Sequence, residues 1–229
     1  MEPRGKVVRE VLLAFAGATA ACALLYLARN LHPFLASYLH TFVAVVFWLL
    51  PMRLLERAGR DPRAYGLTWR PLGRNLVWAL CAIAIVFPLF LLGFRLYYTV
   101  LCATLRPALC ARWAPSLWRS AGVHVAPNFA LTAAAQLIVI AIPEEFFFRG
   151  YIQGRLREVF APLPAIALSS LIFGLGHYLV DYDPQRLAVA FPAVLFGILR
   201  ERTGSIAPGA LFHASCNLYI DALHRTFFA

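Results

Sequence analysis

Seven stretches of this chain, near residues 8–28, 34–52, 75–104, 128–148, 162–180, 186–200 and 205–224, are apolar over most of a membrane's thickness. Crossing a hydrocarbon core takes about 20 such residues in a helix. Within lipid, only a helix or a closed barrel satisfies its own backbone hydrogen bonds. The pattern therefore predicts an all-α, polytopic transmembrane helix bundle of about seven helices. The count becomes eight if the long third stretch breaks near Pro88. The sixth stretch is short, and the seventh carries polar residues, as a helix facing a protein interior does. At 61% hydrophobic, 14% charged and a mean hydropathy of +0.70, the chain departs from ordinary soluble domains, which carry about 45–50% apolar and about 25% charged residues. A soluble globular enzyme and a disordered chain are both excluded. No sequence period recurs, so one integral membrane domain over 1–229 is expected. The first stretch is too long for a signal-peptide core and is followed by further spans, so it reads as an uncleaved helix.

The net charge is +10. In a soluble protein such an excess raises nucleic-acid binding, but here the basic residues sit between apolar stretches, where membrane topology accounts for them and no nucleic-acid partner is implied. With a cytoplasmic N-terminus, 14 of the 21 Lys and Arg fall inside: Arg4, Lys6 and Arg9; six between Arg53 and Arg74; Arg149, Arg155 and Arg157; and Arg200 and Arg202. Six fall outside, at Arg29, Arg106, Arg112, Arg119, Arg186 and Arg225. That bias predicts a multi-pass protein of a bacterial inner or cell membrane, with its N-terminus in the cytoplasm and its C-terminus outside. Lys6 is the one lysine among the 21, the arginine bias of a GC-rich bacterial genome. Residues 105–127, with Trp113, Trp118 and three arginines, read as an interfacial segment, with a lid or docking element as the alternative. The five cysteines form no CxxC pair and read as small buried hydrophobes.

Ionisable groups inside a bilayer are costly and mark candidate functional sites. Three clusters stand out. Pro143-Glu144-Glu145-Phe146-Phe147-Phe148-Arg149 ends the apolar run that begins near Phe129. Glu145 and Arg149 are i,i+4 and can pair across one turn, which leaves Glu144 to point elsewhere. Pro143 removes a backbone donor and opens the turn before it. His177 follows Gly174 and Gly176, small residues that let another helix approach. His213 and Asn217 are i,i+4 on the last stretch. Each cluster alone has a structural reading: a helix-ending charge pair, a satisfied core histidine, polar glue between helices. Together they place a carboxylate, two imidazoles and an amide on three bundle-facing helices. Glu144 can act as general base on a water that a histidine orients, and His213 and Asn217 can donate to a developing oxyanion. Ser215 and Cys216 are expected on other faces than His213 and Asn217. Water attack is therefore favoured over an acyl-enzyme.

At these residues the sequence resembles the CPBP family of intramembrane proteases, which comprises CAAX proteases and bacteriocin-processing enzymes and is also called the Abi family. The family pattern EExxxR, FxxxH and HxxxN/D is matched by Glu144-Glu145-xxx-Arg149, Phe173-xxx-His177 and His213-xxx-Asn217, in order and without departure. The stretch from Phe196 to Ile206 looks like the family's link into its last motif. The resemblance covers about 128–220, the expected catalytic core, while residues 1–127 match only in general hydrophobicity. It implies a glutamic-type intramembrane endopeptidase, a membrane protein-processing hydrolase whose site opens towards the cytoplasmic leaflet. Glu144 and His177 would activate water, His213 and Asn217 would form the oxyanion hole, and Glu145 with Arg149 would be a supporting ion pair. The implied partners are the bilayer and a membrane-anchored protein or lipidated peptide substrate. No cofactor is expected. The family was once described as metalloproteases, and Glu144, His177 and His213 are the alternative zinc ligands. The EEFFFRGYIQGRL stretch is also similar to the myxosortases, which process cysteine-containing C-terminal anchors. Two other readings stay open: a non-catalytic scaffold or immunity-type protein with a buried polar network, and a small proton-coupled transporter, against which the lack of inverted repeats counts.

Overall fold

The computed structural model describes residues 2–102, 104 and 123–227. Most of the segment 105–127 lies outside the described residues. Among the described residues there are eight helices and no strand: α1 (Arg4–Ala28), α2 (Pro33–Ser37), α3 (Leu39–Arg57), α4 (Leu72–Leu96), α5 (Phe129–Arg157), α6 (Pro162–Asp181), α7 (Ala190–Thr203) and α8 (Ala207–Phe227). Each of the seven apolar stretches has a long helix. The eighth helix is the single turn α2; α4 runs unbroken through Pro88.

Five helices, α1 and α3 to α6, are long and apolar enough to cross a membrane. At 14 residues, α7 reaches only about 21 Å. The polar positions of α8 leave it below the apolarity of the other five. The protein is a multi-pass helical membrane bundle.

The largest correction to the sequence reading concerns α5. The paired glutamates do not end it, since the helix continues through Phe146–Ile152 to Arg157. Its path is interrupted by two π-helical segments, Gln136–Ala141 and Phe146–Ile152, on either side of Ile142–Glu145. Pro143 lacks the N–H that would close the preceding turn, and a widened turn accommodates that loss. Residues Phe146 to Ile152 are all buried, which makes α5 the central helix. Phe147 stacks on Phe47 of α3 with centroids 5.1 Å apart, and Phe148 meets Phe173 of α6 edge-on at 4.9 Å. In contrast, α4 buries only Asn75 and Ala79 and turns most of its apolar surface outward.

The two ends of the bundle differ. At the end that carries the N-terminus, charged and polar groups lock the connections together. Fully buried Arg155 meets Glu2 at 2.6 Å, Glu10 at 2.8 Å and also Glu158. The Tyr65 hydroxyl donates to Glu158 at 2.6 Å and accepts from Arg60 at 2.8 Å. Arg157 pairs with Glu201 at 2.7 Å, and Ile206 N–H donates to the Gly66 carbonyl at 3.0 Å. Tyr65 fits only because Gly150 and Gly154 lack side chains: a Cβ on Gly154 would lie 2.7 Å from its ring. The far end is formed by the connections 29–38 and 182–189.

Candidate active site

The residues singled out in sequence come from three helices. α5 supplies Glu144, Glu145 and Arg149, α6 supplies His177, and α8 supplies His213 and Asn217. A cavity of about 500 Å³ brings Glu144, His177, His213 and Asn217 to one wall. Phe47, Phe148 and Phe173 form part of its apolar lining.

Glu144 lies between the two histidines. Its Oε2 is 3.9 Å from His177 Nε2 and 3.9 Å from His213 Nε2. That oxygen is buried and has no hydrogen-bond partner in the protein. The other nitrogen of each ring is already engaged. His177 Nδ1 is 3.0 Å from the Phe173 carbonyl. A carbonyl only accepts, so Nδ1 carries the proton and Nε2 is left with a lone pair. The same logic applies to His213, whose Nδ1 is 3.0 Å from Glu145 Oε1. Both imidazoles therefore turn bare Nε2 atoms towards Glu144. The 3.9 Å separations are too long for direct hydrogen bonds and of a length that one water spans.

Glu145 points away from the cavity into the core. It is fully buried, as is Arg149, and its Oε2 lies 3.5 Å from Arg149 Nε. The Arg149 guanidinium sits over the Phe173 ring at 4.4 Å and the Phe196 ring at 5.1 Å and donates to the Ala193 carbonyl at 3.2 Å. Two buried charges survive in such a place only as a pair with further hydrogen bonds, and His213 supplies the carboxylate with its second partner. Gly209 packs tightly beside it, and a Cβ there would come within 3.1 Å of Glu145 Oε2.

Asn217 turns out to have a partner not foreseen from sequence. Its Nδ2 donates to Gln136 Oε1 at 2.9 Å, leaving its second amide hydrogen uncommitted. Gln136, Ile140, Glu144 and Phe148 recur every four residues and all line the cavity. Gln136 was visible as the lone amide in an apolar run, two such steps before Glu144. Cys216 also corrects the sequence reading: it lines the cavity with His213 and Asn217, being three residues from one and adjacent to the other. Ser215 does face elsewhere, and its hydroxyl donates to the Leu211 carbonyl at 2.8 Å.

A zinc reading fits poorly. Among the described residues no three His, Cys, Asp or Glu side chains are grouped to hold a metal ion. The two 3.9 Å separations exceed the roughly 3.4 Å edge of a tetrahedral site with bonds of about 2.1 Å.

Residues 126–219, which carry all of these groups, match the model of the family described as type II CAAX prenyl endopeptidase Rce1-like. Over these residues the chain is similar to the Rce1-like CAAX endopeptidases. No curated protein and no solved structure matches the chain. That similarity supports a membrane peptidase acting on membrane-associated substrates. The myxosortase subgroup is not distinguished by the match.

Proposed function

We propose that the protein is an intramembrane endopeptidase in which Glu144 activates a water for attack on a peptide bond, with no covalent intermediate. The observation that carries this reading is the position of Glu144 Oε2, equidistant from two Nε2 lone pairs. A water held there donates one hydrogen to Glu144 and the other to His177. As its oxygen attacks the carbonyl carbon, Glu144 takes the proton and then hands it to the leaving amine. The carbonyl oxygen becomes an oxyanion and needs donors. Asn217 supplies its second amide hydrogen. His213 can donate from Nε2 only after that nitrogen takes up a proton from solvent, with Nδ1 still held by Glu145. Glu145 and Arg149 thus act through His213 rather than on the substrate.

Apolar walls around a polar centre suit a peptide segment drawn from a membrane-anchored or lipidated protein. The basic loops on the N-terminal side favour a cytoplasmic N-terminus, and one membrane domain with its catalytic core at 128–220 is the simplest organisation for a site drawn from α5, α6 and α8.

The test compares wild type with Glu144→Gln in a host membrane by mapping protein N- and C-termini. Termini that appear with wild type and vanish in an equally abundant variant identify the enzyme and its substrates. Identical termini from both would return the chain to the scaffold reading.

A further inference from the structure

The site and the basic loops lie at opposite ends of the bundle, so a cytoplasmic N-terminus and a cytoplasm-facing site are incompatible. The cavity takes Thr19, Cys22 and Tyr26 from the last part of α1, Leu39 to Phe47 from the first part of α3, Phe173 to Val180 from the last part of α6, and Pro192 and Phe196 from the first part of α7. Four helices thus contribute only the half that adjoins the connections 29–38 and 182–189. The cavity reaches Arg186 at that rim, and His177 stands four residues, about 6 Å, from the end of α6.

Beyond Glu144, towards the other end, come the Glu145–Arg149 pair and then a second cavity of about 340 Å³, which is lined by Arg149, Arg157 and Arg200 and by Tyr65. The Glu2–Arg155–Glu158–Arg60 network closes that end. Thirteen of the chain's 21 basic residues adjoin it, without counting the buried Arg149. Six of them, Arg53 to Arg74, lie in or beside the connection between α3 and α4. Connections this short are the ones whose Lys and Arg hold a segment in the cytoplasm.

We infer that the active-site cavity opens on the extracytoplasmic side of the membrane, and that the substrates are exported, membrane-anchored proteins whose scissile bond lies in the outer half of the bilayer. A lipid-modified cysteine presented from the cytoplasm would meet the closed, arginine-lined end. The substrate class rests on the endopeptidase reading above; the sidedness does not.

Two measurements separate these. All five native cysteines are replaced by alanine in the full-length chain, and single cysteines are introduced as Leu31→Cys and Leu187→Cys near the cavity rim and as Arg63→Cys at the closed end; all three sites are exposed. A membrane-impermeant maleimide applied to intact spheroplasts should label the first two at least ten-fold more than Arg63→Cys, and permeabilised membranes should label all three. Labelling of Arg63→Cys in intact spheroplasts, alone or with the others, or labelling of the rim sites only after permeabilisation, overturns the inference. In the terminus-mapping comparison with Glu144→Gln, the Glu144-dependent ends should map to the extracytoplasmic ends of spans. Ends at cytoplasmic positions would refute the sidedness while keeping the peptidase. Absence of such ends alongside the expected labelling would refute the peptidase and leave the sidedness standing.

Discussion

His213 Nδ1 and Glu145 Oε1 meet at 3.0 Å in the protein interior, joining the second glutamate of the EE pair to the face of α8 that bears the site. The contact gives adjacent carboxylates different work. Glu145 is committed to Arg149 and His213, while Glu144 is left to the cavity. The two substitutions should therefore separate stability from chemistry. Replacing Glu145 with alanine leaves Arg149 buried without its counter-charge, a loss of about 3–5 kcal/mol. Glu144→Gln keeps volume and polarity and should unfold within a few degrees of wild type while losing about 10²–10⁴ of its activity. Thermal unfolding in detergent and turnover of a mapped substrate read the two effects. A Glu145→Ala protein as stable as wild type would contradict the buried-pair account.

Gln136 holds the Asn217 amide, accepting from its Nδ2 at 2.9 Å. Gln136→Ala should lower kcat by roughly ten-fold with KM little changed, and Asn217→Ala by about 10²-fold, the scale of a lost oxyanion donor. Gln136→Glu, which restores an acceptor for the Asn217 amide, should recover part of the loss. A fall confined to KM would mean that Gln136 contacts substrate instead.

The helices were legible because lipid enforces a simple code: an apolar run of adequate length must be helical. The motif residues were legible because an ionisable group in such a run is expensive, so Glu144, His177 and His213 announced themselves. What could not be read was the division of labour between neighbours. Periodicity assumes regular turns of 3.6 residues, and the π-helical segments at Gln136–Ala141 and Phe146–Ile152 shift every face beyond them. The continuation of α5 past Glu145 was hidden by Arg149, Arg155 and Arg157, whose charges look like a helix end until Glu145, Glu2, Glu10 and Glu158 are found beside the first two and Glu201 beside the third. Tyr65 and Gly154 lie far apart in sequence, and nothing local in either predicts their contact.

Chelation offers a direct check on chemistry that rests on carboxylate and imidazole alone. Because Glu144, His177 and His213 are spread more widely than zinc ligands, activity should survive exhaustive treatment with a strong chelator and should not rise when zinc is added. Loss on chelation with recovery on zinc would require the three side chains to close in by about half an ångström and would replace the water-activation scheme.

Gly66 sits where the connection between α3 and α4 turns under Arg200. Its φ of +88° is left-handed, and a Cβ would fall 2.5 Å from Arg200 Nε. Gly66→Ala combines backbone strain with a clash, at a cost of about 1–3 kcal/mol. Arg200→Ala made in the same chain should return part of that loss, the part due to the clash, and leave the part due to φ. If the double variant were no better than Gly66→Ala, strain alone would account for the loss.

The closed end should also register acid. Glu2 accepts hydrogen bonds from Lys6 and Arg155, which hold its carboxyl well below its ordinary 4.5, at about 2. A carboxyl lowered on folding stabilises at every pH above its unfolded value and loses that contribution as pH falls through the folded one. The difference in unfolding temperature between wild type and Glu2→Gln should thus stay constant from pH 7 to about 5, shrink below pH 4.5, and vanish near pH 2. Because Glu10 and Glu158 share Arg155 and titrate in both proteins, the difference, not the absolute midpoint, carries the test. Salt should weaken it throughout, since Glu2 is partly open to solvent and its Lys6 pair at 2.7 Å is screened. A difference that already collapsed at pH 6, or one that grew on acidification, would show that the N-terminus is not tied down through this carboxylate.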